Sequence, residues 1–74
     1  MTNFGVVLFH TTSAVIRAEK LLLVKGYTIK LIPTPREFSS DCGIAIRFAW
    51  DRRESLELDL NSLGLETGGI YPMP

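Results

Sequence analysis

One cysteine, one histidine and one tryptophan occur in 74 residues, and no apolar run approaches the roughly 18 residues of a membrane helix. Each scarcity excludes something. A lone thiol, Cys42, cannot close an internal disulfide. With His10 as the only imidazole there is no Cys/His pair at metal-ligand spacing, so no disulfide, structural metal or resident cofactor is expected. Net charge is also absent, because 8 Lys and Arg balance 8 Asp and Glu, which removes the electrostatic footprint of a dedicated nucleic-acid binder. The first residues lack the basic start, apolar stretch and small-residue cleavage site of a secretory signal. The expectation is a soluble cytoplasmic protein that binds neither nucleic acid nor membrane. It forms one domain over residues 1–74, and a chain of this size buries only roughly 60% of its unfolded surface, so a large enclosed active-site cavity is not expected.

What is present falls into apolar patterns of two periods. Residues 4–9, Phe-Gly-Val-Val-Leu-Phe, read as a strand that ends at His10-Thr11-Thr12-Ser13, whose hydroxyls suit a helix cap. Ala14, Val15, Ala18, Leu21 and Leu22 then recur at helical spacing, and Gly26 supplies the left-handed stop. Residues 27–32 alternate from Tyr27 to Ile32 and end at the prolines 33 and 35, which cannot donate to a ladder. A polar loop over residues 33–41 leads to a third strand over 43–48, with Ile44, Ile46 and Phe48 on one face and Ala45 and Arg47 on the other. Asp51 and Glu54 stand at capping-box spacing before Leu56, Leu60 and Leu63, which predicts a helix to about Gly64. Residues 65–71 give a weak last strand interrupted by Gly68-Gly69.

The order βαββαβ predicts an α+β, ferredoxin-like fold: an antiparallel sheet of order 4-1-3-2 with two helices on one face. That order sets the end of the first strand, at His10, beside the start of the third, at Cys42, where the first helix also begins. The first strand is apolar on both faces, through Phe4, Val6 and Leu8 on one side and Val7 and Phe9 on the other. Helices cover only one of them. The uncovered strip predicts a homo-oligomer or a docked client, unless Tyr27, Arg47 or Tyr71 folds over it.

The polar, glycine-flanked position of Cys42 suggests a sulfur that another molecule reaches. A helix N-terminus beside it favours the thiolate, so the thiol is expected to be more acidic than a free one. His10 adds a donor, Arg36 a permanent cation, and backbone N–H groups around Gly43 an anion-holding nest. The bland readings are an inert thiol, a satisfied strand-end histidine, a solvated loop arginine, and Ser39 and Ser40 as turn formers. Trp50 is expected to pack at the start of the second helix.

Three segments carry a family resemblance: Val7-Leu8-Phe9-His10-Thr11-Thr12, Ala18-Glu19-Lys20-Leu21-Leu22, and the block from Leu31 to Phe48 with its Pro-x-Pro-Arg-Glu-x-Ser-Ser-x-Cys-Gly core. The chain resembles the selenium/sulfur carrier-like proteins, short bacterial chains, over nearly its whole length. The resemblance implies a carrier, not a turnover enzyme, that holds sulfur or selenium on Cys42 as a persulfide or selenosulfide. A protein donor, of cysteine desulfurase type, would supply the atom and a protein acceptor would take it. Pro35, Arg36, Ser39, Ser40 and Gly43 form the supporting block, with His10 and Thr11 beside it by topology. A different class remains open: a small regulatory or protein-interaction module that uses the open sheet face, with Cys42 incidental. A third reading is a redox sensor whose thiol oxidises or pairs between chains.

Overall fold

The computed structural model describes residues 3–38 and 42–73. Two helices and a four-stranded antiparallel sheet follow in the order β1 (Phe4–Leu8), α1 (Thr12–Val24), β2 (Ile29–Pro33), β3 (Ile44–Ala49), α2 (Arg53–Ser62) and β4 (Gly69–Pro72). The sheet runs β2-β3-β1-β4, which counted from the β4 edge reads 4-1-3-2. Register pairs Val7 with Ile46, Leu31 with Ile46, and Val7 with Ile70. Those partners therefore share one face of the sheet.

That face is the helix side. Val15, Ala18 and Leu22 of α1 and Leu56 and Leu60 of α2 pack with Val7, Ile46 and Phe48 in one buried cluster. The α1 stripe recurs at i, i+3 and i+7, as one helical face requires. Gly5 makes the sheet side of this core fit. A Cβ there would run into the Trp50 ring and come within 2.9 Å of the Phe48 ring, so only glycine lets both aromatics close over β1. Trp50 sits at the approach to α2, as the sequence predicts, with its ring tilted against Phe48 at 6.1 Å.

Both helices stop in the same way. Tyr27 N donates to Leu22 O and Gly26 N to Leu23 O, each at 3.0 Å. Leu65 N to Leu60 O and Gly64 N to Asn61 O, both at 3.1 Å, repeat the pattern after α2. These paired bonds need a left-handed residue, supplied by Gly26 (φ +89°) and Gly64 (φ +71°). The motif corrects two sequence expectations, because it folds the third residue past the helix back onto the core. Tyr27 is buried in the helix-side cluster before β2 begins at Ile29, and Leu65 is buried where Leu63, on the predicted stripe, is left exposed. The last strand correspondingly starts at Gly69, not Leu65.

The N-termini differ. Thr11 Oγ1 accepts from Ala14 N at 3.1 Å, the expected cap of α1. The predicted Asp51/Glu54 capping box does not form. A 3-10 turn, Trp50–Arg52, leads directly into α2, with no side-chain cap and with Arg53 Nη1 donating back to Trp50 O at 3.2 Å.

The opposite face departs most from expectation. Val6 and Leu8 are buried together with Ala45, and Ile32, Phe38 and Met73 pack on them. The cover comes from the β2–β3 connection itself, whose Phe38 reaches across the sheet and stacks on Tyr71 of β4 at 4.9 Å and 18°. Farther along β1, the Arg47 guanidinium lies 4.2 Å from the centre of the Phe4 ring. The apolar strip on which oligomerisation and the interaction-module reading rest is thus largely covered within the monomer. Tyr71 and Arg47 take part in that cover, whereas Tyr27 lies on the helix side.

Candidate functional site

Cys42 continues the parity of β3. Counting back by two from Phe48, Ile46 and Ile44 puts residue 42 on the helix side, and Cys42 indeed belongs to the helix-side cluster with Phe9 and Val15. It is 3% exposed. The expectation of a sulfur open to another molecule is therefore corrected: two-residue alternation outweighs the polar, loop-end setting and turns the side chain inward.

The topology does bring the start of α1 to Cys42, as expected. The start of α1 meets the start of β3, and Thr12 Oγ1 lies 3.9 Å from Cys42 Sγ, a weak contact in which either atom is able to donate. No acidic residue occupies the first turn of α1. The backbone of Cys42 is fixed from the other strand. Thr34 Oγ1 donates to Cys42 O at 2.9 Å and Thr34 N to Gly43 O at 3.0 Å, which extends the β2–β3 ladder one step past the Pro33–Ile44 pair.

The remaining predicted residues are distributed along this hairpin and the α1 start. His10 is exposed beyond Phe9, and Thr11 is engaged at the helix cap. Pro35 and Arg36 lie in a tight turn closed by Phe38 N to Pro35 O at 3.0 Å, with Pro35 partly buried and Arg36 exposed. Gly43 is exposed, its φ is not positive, and a Cβ there would meet nothing within 4 Å. The features on which a glycine nest depends are therefore missing at that position. Ser39 and Ser40 lie outside the described residues.

Sequence reasoning missed Thr12, Thr34 and Phe38. Thr34 was recoverable from hairpin register, since it stands opposite Gly43 once Pro33 faces Ile44. Phe38 was signalled by being the one large apolar side chain in an otherwise polar loop. Beside Gly43, an open depression of about 260 Å³ is lined by Leu31, Ile32, Pro33, Gly43 and Ile44. It is a surface dip, not an enclosed substrate cavity of the kind small-molecule enzymes use. Among the described residues no three His, Cys, Asp or Glu side chains gather to hold a metal ion, and no helix is long and apolar enough to cross a membrane.

Comparison with known proteins adds one finding. The sequence model of the family described as "Putative Se/S carrier protein-like" matches residues 4–72, nearly the whole chain, and the chain belongs to that family. No curated protein and no solved structure matches it.

Proposed function

From that membership and from the position of its one thiol, we propose that the protein is a sulfur or selenium carrier built on a ferredoxin-like scaffold. Cys42 holds the atom as a persulfide or selenosulfide. The observation that carries this reading is chemical: within a family of this description, Cys42 is the one side chain of the sequence that can bond a chalcogen reversibly. Its neighbourhood supports the assignment. The sulfur adjoins the N-terminal turn of α1, with Thr12 Oγ1 3.9 Å away.

Loading proceeds by exchange without net oxidation. The Cys42 thiolate attacks the terminal sulfur of a donor persulfide, the donor's S–S bond breaks as the new one forms, and the donor thiolate leaves with the electron pair. The product is Cys42–S–SH, or Cys42–S–SeH from a selenium-loaded donor. Handing on repeats the step with an acceptor thiolate. A protein donor of cysteine desulfurase type fits this chemistry, as does a reducing cytoplasm, which keeps a lone thiol reduced. Arg36 and His10, both exposed, are the side chains that would meet the partner in this reading.

Intact mass spectrometry tests the assignment. After incubation with a persulfide donor the protein should gain one sulfur atom, lost on reduction, and Cys42→Ser should gain none. An unloaded wild type, or equal loading of the variant, would overturn it.

A further inference from the structure

Helix α1 is apolar beyond what its own core needs. Val15, Ala18 and Leu22 form its buried line, and Ala14 and Leu21 flank that line on one side, packed against the same cluster. At about 3.6 residues per turn, Ile16, Glu19 and Leu23 flank it on the other side, with Lys20 just beyond. Ile16 is 46% exposed, Leu23 54%, and the adjoining Val24 86%. The two flanks face different neighbours. Lys25 continues the Ala14–Leu21 side and reaches Asp59 of α2, so the Ile16–Leu23 side faces away from α2, toward the β2 edge of the sheet on which α1 packs. This is not the sheet strip that Phe38 and Met73 cover. Nor is it the scattered exposure of an ordinary surface. Leu58 of α2, 69% exposed, has the exposed polar residues Glu54, Asn61 and Ser62 at its helical neighbour positions, whereas Ile16 and Leu23 stand two turns apart on one line.

We propose that this flank of α1 pairs antiparallel with the α1 of a second copy of the chain. The order of residues along the stripe selects that occupant. A two-fold axis passing between Glu19 and Lys20 sets Ile16 of each copy against Leu23 of the other, and Glu19 of each against Lys20 of the other. One register thus satisfies the apolar contacts and the opposite charges twice over, as an isologous interface requires. A parallel pairing would set Glu19 against Glu19 and Lys20 against Lys20, so the charges select the antiparallel arrangement. Both are available for it within the monomer, since the ion pair at the end of the helix layer joins Lys25 to Asp59 and uses neither. A small domain with a modest core gains from burying such a stripe between copies. The inference rests on α1 and is independent of the carrier reading.

Sedimentation equilibrium of the whole chain tests the pairing, in reducing buffer so that no Cys42 cross-link contributes. The mass should rise from 8.3 kDa toward twice that value as the protein is concentrated from about 1 to 500 μM, the range suited to a small interface. Leu23→Glu should keep the protein monomeric throughout, with an unchanged circular dichroism spectrum because the side chain is exposed. Glu19→Lys alone and Lys20→Glu alone should each raise the dimer Kd roughly tenfold, since the two-fold axis repeats every like-charge contact. An equimolar mixture of those two variants should pair as tightly as the wild type, and so should the double variant, because both restore opposite charges across the axis. A mass of one chain at every concentration, a dimer indifferent to Leu23→Glu and to the charge reversals, or a mixture that fails to pair overturns the inference. The charge variants keep the test decisive should Leu23→Glu not fold. The two readings fail separately: a monomer that loads Cys42 loses this interface alone, and a dimer that takes up no sulfur loses the carrier function alone.

Discussion

The two faces of the sheet are finished by different means. On one, two helices set five fully or almost fully buried side chains against the strands, and Gly5 leaves room for the Phe48 and Trp50 rings to close the layer. On the other, Val6, Leu8 and Ala45 are kept from water largely by Phe38 and Met73, without any helix. Helices are cooperative units and a single aromatic on a connection is not, so the first face should yield only with the whole fold and the second by itself. Cys42 sits where these two regimes meet. Its side chain belongs to the helix side, and its backbone belongs to the hairpin that covers the other.

The largest effect should come from attacking the firm face at its tightest point. Gly5→Val inserts carbons into space held by the Trp50 and Phe48 rings and should cost about 3 kcal/mol or more, read as a lower urea midpoint. A loss below about 1 kcal/mol would mean that the rings move aside freely and that the helix-side core is looser than its burial suggests. Phe38→Ala should be milder, about 1–2 kcal/mol, because the side chain is only partly buried. Its signature should be regional. Amide exchange should speed up at Val6, Leu8 and Ala45 while Val15, Leu22 and Leu56 keep the protection of the global core. Equal acceleration on both faces would erase the distinction between them.

The firm face was the more readable of the two. Helical spacing located Val15, Ala18 and Leu22, and alternation located Ile46 and Phe48, because those patterns report burial against a neighbouring layer. What escaped reading was chain that doubles back. Tyr27 and Leu65 look like strand residues by pattern, yet each is the residue that a glycine-terminated helix folds onto its own last turn. Phe38 was passed over for a related reason: a loop has no period, so nothing in spacing announces that one of its side chains serves as a cover. The site shows both outcomes at once. The meeting of Cys42 with the start of α1 followed from strand order, but its burial, although implied by counting from Ile44, was masked by the polar residues around it. Thr34 needed the register of a hairpin whose ends are known only once it has formed.

A smaller prediction concerns the far end of the helix layer, where Tyr27 joins the two helices. Its hydroxyl donates to Asp59 Oδ2 at 2.7 Å and lies 3.0 Å from Ser55 Oγ, while Lys25 Nζ stands 3.5 Å from Asp59 Oδ1. The Tyr27 hydrogen bond first, and the Lys25 and Arg52 charges after it, hold the Asp59 carboxyl below its ordinary value of 3.8, against the opposing pull of desolvation. A carboxylate lowered in the folded state contributes stability that is in place above its unfolded value and is lost as pH falls through the folded one. Wild-type stability should therefore decline below about pH 4 in part through this group. Tyr27→Phe removes the leading cause of the shift and should flatten that part of the acid limb, with a small loss at neutral pH.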